Sequence, residues 1–136
     1  FDIDHFKLFN DQYGHQVGDR VLKYVAQLFS DELFERKTNA QLFRVGGEEF
    51  TIIFRNRTSA EAAPIVKTIR DILVEKTFEV KDDLNVRVTV SIGVTDLKKS
   101  DQSAKDFYKR VDKYLYQAEN NSRNSMSVEG DVSSLS

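Results

Sequence analysis

The sequence predicts an α+β fold, a mainly antiparallel sheet flanked by helices, and three observations carry that expectation. Two apolar runs, at 42–45 and 50–54, flank the pair Gly46-Gly47, the pattern of a β-hairpin with its turn at the glycines. Val86, Val88, Val90, Ile92 and Val94 alternate with Arg87, Thr89, Ser91 and Gly93, the period of two that a strand with one face on a core requires. Val21, Leu22, Val25, Ala26, Leu28, Phe29 and Leu33 recur at helical spacing, the apolar stripe of a covering helix. A hairpin occupies the place where a doubly wound parallel sheet would need a crossover helix, so the antiparallel arrangement is favoured.

In order, residues 1–3 read as the end of a buried strand. Asp4 is placed to cap a short helix over 6–11, with Gly14 and Gly18 interrupting the path. The first long helix covers about 18–34, with Asp19 in its first turn, where the helix dipole favours a negative charge. A polar stretch, 35–40, leads to strands at 41–45 and 49–54. Thr58 and Glu61 have capping-box spacing, and Ala62, Ile65, Val66, Ile69, Ile72 and Leu73 carry a helix to about residue 76. Pro64 falls beyond the first turn of such a helix, so it predicts a later start or a kink. A short strand at 78–80 and a turn at 81–85 precede the strand over 86–94. Ser103 opens a last helix to about 121, whose buried side is Phe107, Tyr108, Val111, Tyr114, Leu115 and Ala118. Residues 126–136, small, polar and acidic, are expected to be a disordered tail.

With 136 residues, 40% hydrophobic and 31% charged, the chain is large enough for one real core and too short for two. A net charge of −2 and a pI near 5.7 give no general attraction to nucleic acid or anionic lipid, so a phosphate ligand must be held locally. The absence of cysteine removes disulfides and thiolate metal sites and is compatible with a reducing compartment. No apolar run approaches the ~20 residues that span a bilayer. The chain starts with Phe rather than Met, so it reads as part of a longer protein; a cytoplasmic placement is expected, with any membrane anchor in upstream segments.

Two acidic elements stand out. Asp2 and Asp4 follow a strand end, and Glu48 and Glu49 sit at the hairpin tip; if the two meet in space, their oxygens suit a hard divalent cation. Each also has a plainer reading. Glu48-Glu49 can be a solvated turn, Asp2 and Asp4 a surface charge and a cap, Asn10 and Asp19 ordinary caps, Arg44 a strand-face cation, and Phe6, Phe9, Tyr13, Phe107 and Tyr108 core.

Taken together, Phe-Asp-Ile-Asp-His-Phe-Lys at 1–7, Asn10-Asp11, Gly14-His15, Gly18-Asp19, Gly46-Gly47-Glu48-Glu49-Phe50, Ser91-Ile92-Gly93-Val94, Tyr116-Gln117-Ala118 and Ser122-Arg123-Asn124 resemble the GGDEF domain of diguanylate cyclases in its GGEEF form, over about residues 1–125. The resemblance implies a sheet core of the ferredoxin-like, nucleotidyl-cyclase and polymerase-palm type, lacking here its N-terminal helix and most of its first strand. It also implies condensation of two GTP into cyclic di-GMP with release of pyrophosphate, dependent on Mg²⁺ or Mn²⁺, in a homodimer whose protomers each hold one GTP. By the same resemblance Asp2, the Ile3 carbonyl and Glu48 hold metal, Glu48 is the general base or its positioner, and Glu49 supports it. The turn at His5, Phe6 and Lys7 offers backbone N–H groups to the β- and γ-phosphates, Gly46 and Gly47 keep a Cβ out of the nucleotide's way, Asp19 and Asn10 read guanine, and Arg123 contacts the triphosphate.

Two departures qualify the resemblance. Glu119 stands four residues before Arg123, where the family has a phosphate-binding Lys, and residues 37–40 read Lys-Thr-Asn-Ala where the family's Arg-x-x-Asp product-inhibition motif would lie. Feedback by that motif is not expected. The alternative to an active cyclase is therefore a degenerate signalling module that acts through protein contacts. An RNA-binding sheet is disfavoured, because paired acids lie where a phosphate backbone would run and no basic stripe exists.

Overall fold

In chain order the elements are β1 (Asp2–Ile3), α1 (Phe6–Tyr13), α2 (His15–Glu35), β2 (Gln41–Arg44), β3 (Phe50–Ile53), α3 (Ser59–Glu75), β4 (Phe78–Lys81), β5 (Leu84–Val86), β6 (Val90–Val94), α4 (Ala104–Asn120), β7 (Ser125–Val128) and β8 (Asp131–Ser134). They come from a computed structural model that describes all 136 residues. The strands form a four-stranded sheet in the order β1-β6-β7-β8 and two hairpins, β2-β3 and β4-β5. Pairing is antiparallel except between β6 and β7, which run parallel through α4, as a strand-helix-strand crossover requires. The α+β, antiparallel-rich expectation holds.

β6 is buried on both sides, and its alternation sorts the layers. Val90 and Ile92 join the core with Val21, Val25 and Phe29 of α2 and Val66, Ile69 and Leu73 of α3. The intervening residues lie under α4, whose Leu115 and Ala118 are buried outside that cluster. A Cβ on Gly93 would stand 2.5 Å from the Leu115 nitrogen and 2.7 Å from the Val111 oxygen. The glycine lets α4 lie backbone-to-backbone on the sheet.

The structure departs from the sequence reading in several places. Gly18, expected to interrupt the path, is a buried residue inside α2. α3 starts at the Thr58 cap and continues through Pro64: Glu61 N–H donates to Thr58 Oγ1 at 3.2 Å, and Thr58 N–H donates to Glu61 Oε1 at 3.0 Å. That reciprocal cap and the burial of Ala62, Ala63 and Val66 outweigh the one amide hydrogen bond that Pro64 cannot make. The long strand of 86–94 is broken, β5 ending at Val86 and β6 beginning at Val90. Tyr108, taken as core, is 37% exposed. The tail is ordered, because β7 and β8 form a hairpin against β6. The serines of β7 are buried rather than solvated: Ser125 Oγ donates to the Arg123 carbonyl at 2.8 Å, Ser127 Oγ to Gln117 Oε1 at 3.2 Å, and Met126 enters the core.

Gly93→Ala drives a methyl group into the backbone of α4, which cannot yield as a flexible side chain would, so a loss of about 1–3 kcal/mol is expected. Gly47→Ala, with nothing within 4 Å of the added atom, is the control. Urea unfolding of the two variants checks the difference.

Candidate active site

The hairpin tip is fastened to β1 by backbone alone. Phe1 N donates to the Phe50 carbonyl at 2.7 Å, and Phe50 N–H returns to the Phe1 carbonyl at 2.8 Å. Asp2 bridges Glu49 across an antiparallel pair, and Ile3 N–H donates to the Glu48 carbonyl at 3.2 Å. The phenyl rings of Phe1 and Phe50 stack beneath this ladder at 5.2 Å. Arg44 braces the loop from the other side, its Nε donating to the carbonyls of Gly46 and Gly47 at 3.2 and 3.0 Å. That makes it the structural cation that the plain reading assigned. The two glycines have no left-handed φ, so the turn does not demand them; what they leave is open space at the tip.

The two acidic elements of the sequence therefore meet. Burial first, then the charges of Glu48 and Glu119, push the Asp2 carboxyl up to about 7, and its buried Oδ1 has no hydrogen-bond partner. A carboxylate desolvated, crowded by like charge and unpaired suits a cation. No three His, Cys, Asp or Glu side chains gather as a ready cation site. The donors that fit a divalent ion are thus Asp2 and Glu48, with the Ile3 carbonyl as an uncharged third. Glu49 faces α4 as well: burial first, then the charge of Asp112 and a hydrogen bond with it, raise its carboxyl. Asp112 lies on a charged helix face and gave no signal in the sequence.

Around this centre, α1 begins at Phe6, after a His5 that is left-handed (φ 57°) and supplies no side-chain cap. The first amides of the helix, at Phe6 and Lys7, have no carbonyl four residues back to accept from them within the helix. Phe6 itself is a core side chain at 7% exposure, so only its backbone faces outward chemistry. Asn10 lies against Gly18, where an added Cβ would fall 1.7 Å from Asn10 Oδ1; that oxygen is buried without a partner. Asp19, one residue on, lines a cleft of about 400 Å³ with Leu22, Leu42, Arg44 and Phe50. Asn10 and Asp19 thus flank Gly18. Arg123 is exposed at the end of α4.

Asp4 is not the helix cap expected of it. Its Oδ2 accepts from Thr89 Oγ1 at 2.6 Å and from the Asn124 N–H at 2.9 Å, and its Oδ1 accepts from Ser91 Oγ at 2.6 Å. It ties β1, β6 and the turn after α4 together. Its partners lie 85 or more positions away, beyond the reach of local pattern.

A raised folded pKa sets the sign of a pH effect. Because Asp2 moves from 3.8 to about 7, the folded state binds more protons across that interval, and its carboxylate destabilises the domain increasingly as pH rises through it. In chelator, Asp2→Asn is expected to melt higher than the unsubstituted protein at pH 8, by roughly 3 °C, and the gap should close by pH 4. Scanning calorimetry at the two pH values checks this.

The comparisons with known proteins bear on the family and the fold. The family model described as "Diguanylate cyclase, GGDEF domain" matches residues 1–125. A protein named Diguanylate cyclase A from Treponema denticola is 38% identical over 127 residues, covering 93% of this chain and 33% of its own length. A diguanylate cyclase from Vibrio cholerae is 38% identical over 123 residues, covering 90% of this chain and 36% of its own length. The chain thus spans about a third of these relatives. Among solved structures, the active GGEEF domain of a diguanylate cyclase from Vibrio cholerae is 36% identical with a TM-score of 0.77, covering 92% of this chain and 76% of that one. The GGDEF domain of DgcB from Caulobacter crescentus, in complex with c-di-GMP, is 32% identical with a TM-score of 0.85, covering 94% and 74%. With the twin-glycine tip stitched to the aspartate strand and a family match across residues 1–125, this chain belongs to the GGDEF domain family.

Proposed function

We propose that the domain condenses two GTP into cyclic di-GMP. Two GTP face each other across two protomers; each 3′-oxygen bonds to the α-phosphorus of the other, each α-phosphorus loses a pyrophosphate, and each hydroxyl proton leaves to base. The observation that supports this reading most is the approach of Asp2 to Glu48 through the Ile3–Glu48 backbone bond. A magnesium or manganese ion bound by Asp2, Glu48 and the Ile3 carbonyl would neutralise triphosphate charge and lower the barrier to attack on phosphorus. Glu48 at the tip takes up or positions the hydroxyl proton, with Glu49 fixing the tip against Asp112. The open amides of Phe6 and Lys7 at the start of α1, beside the Lys7 ammonium, hold the outer phosphates. Asp19 accepts the paired N1–H and 2-amino donors of guanine, which adenine lacks, and Asn10 adds a contact to the base. His5 sets the turn, and Gly46 and Gly47 leave room for the nucleotide.

A second reading has its own observation. Glu119 adds negative charge to Asp2 at the position where the family carries a phosphate-binding Lys, so the unsubstituted domain would hold triphosphate weakly and act through protein contacts. Relatives from Staphylococcus haemolyticus and Staphylococcus epidermidis, 35% and 34% identical, are described as uncharacterized membrane proteins. No helix in this chain is long and apolar enough to cross a membrane.

The test is product formation by the full protein with GTP and Mg²⁺. Cyclic di-GMP is expected from the unsubstituted protein and abolished in Glu48→Gln. Glu119→Lys, which exchanges a repulsion for a charge-assisted hydrogen bond, is expected to lower KM for GTP by about tenfold or more. Product only in Glu119→Lys establishes the second reading; product in neither overturns the cyclase.

A further inference from the structure

The turn that follows α4 is held in a conformation its residues do not favour. Ser122, Arg123 and Asn124 are three consecutive non-glycine residues in the left-handed region, with φ of 65°, 56° and 46°. L-residues visit this region singly and at a cost, and runs persist only where the surroundings over-determine them.

The surroundings here are specific. Arg123 N–H donates to the Glu119 carbonyl at 3.1 Å, and the Asn124 carbonyl accepts from Leu135 N–H at 2.8 Å. Ser125 Oγ closes on the Arg123 carbonyl at 2.8 Å. Asn124 is gripped from two directions. Its N–H donates to Asp4 Oδ2 at 2.9 Å, and its Oδ1 accepts from Arg70 Nη2 at 2.5 Å. Arg70 comes from α3, on the opposite side of the sheet from α4, and its side chain is 7% exposed. Its charge is met only in part by Asp71, itself 42% exposed, at 2.9 Å, and its Nε has no partner. An arginine buried with an incomplete set of partners is a poor device for stability alone, because desolvation offsets what the pair returns.

We propose that Arg70, Asn124 and Asp4 form a positioning relay that holds the left-handed turn and thereby aims the exposed Arg123 at the triphosphate. Asp4 anchors the relay two residues after Asp2 and two before Phe6, the amide-bearing start of α1. The cation that grips phosphate and the strand that bears the candidate metal carboxylate are so fixed to a common point. Arg70 touches no substrate; it acts through Asn124 on Arg123. The proposal rests on the triphosphate reading of the site given above and extends it to a residue on a helix that otherwise contributes nothing there.

The experiment measures binding of tripolyphosphate and of a non-hydrolysable GTP analogue by calorimetry on the full protein, beside the product assay. Arg70→Met keeps the length and burial of the side chain and removes the donors. Asn124→Gly keeps the left-handed backbone and removes the acceptor, and Asn124→Asp restores an acceptor. Arg70→Met and Asn124→Gly are expected to weaken both ligands by about tenfold, with Asn124→Asp within about threefold of the starting affinity. In an Arg123→Ala background, Arg70→Met should cost nothing further, since the residue through which it acts is gone. Unchanged affinity in Arg70→Met, or a full additional loss in the Arg123→Ala background, overturns the relay and leaves Arg70 a structural arginine. Phosphate binding that responds to Arg70 without any cyclic dinucleotide formed supports the relay and overturns the cyclase reading alone. Failure of the unsubstituted protein to bind either ligand overturns both.

Discussion

Everything at the candidate site depends on a ladder of four backbone contacts between β1 and the hairpin tip. Phe1 and Phe50 exchange two hydrogen bonds, Asp2 sits across from Glu49, and the Ile3 amide reaches the Glu48 carbonyl. Backbone pairing specifies register, and a slip of one residue would turn each carboxylate to the opposite face. The tip needs that fixing because its own turn is loose: the twin glycines make few contacts, and Arg44 must brace their carbonyls from behind. The stacked rings of Phe1 and Phe50, with Phe29 against the other face of Phe1 at 4.3 Å, bury the ladder's underside and tie it to α2.

The site carries charge that the metal-free fold tolerates poorly. Burial and the charges of Glu48 and Glu119 raise the Asp2 carboxyl, and burial and Asp112 raise that of Glu49. Such crowding is expected where a polyvalent ligand supplies the missing counter-charge, and the fold sustains it with backbone hydrogen bonds rather than ion pairs. The ion pairs of this chain lie elsewhere, as in the clasp of Arg110 on Asp101 at 2.7 Å beside the β6–α4 connection.

The sequence disclosed what is local or periodic. The hairpin, the stripe of α2 and the Thr58-Glu61 cap could all be read from neighbours within a few positions, whereas the meeting of the two acidic elements, more than 40 residues apart, could be posed in the sequence but not decided there. Asp4 could not be read, since its three partners come from Thr89, Ser91 and Asn124. Arg70 gave no signal in the sequence, because its acceptor lies 54 residues later. The tail misled for a compositional reason: β7 buries serines under α4, where hydroxyls satisfied by nearby carbonyls replace an apolar face. Pro64 misled because propensity is a weak prior against a complete cap and a buried apolar side.

The parallel pairing of β6 with β7 has a consequence for how the molecule is made. β7 is an interior strand of the four-stranded sheet, flanked by β6 and β8, yet it is synthesised only after the whole of α4. On the ribosome the hairpins and α2 can assemble early, but β6 must wait with one edge unpaired until residues 125–128 emerge beyond α4. During that interval a row of free amides and carbonyls, bordered by Val90 and Ile92, is open to any passing strand. The serine-rich closing hairpin thus serves as the molecule's late protection against aggregation while its polypeptide is still growing.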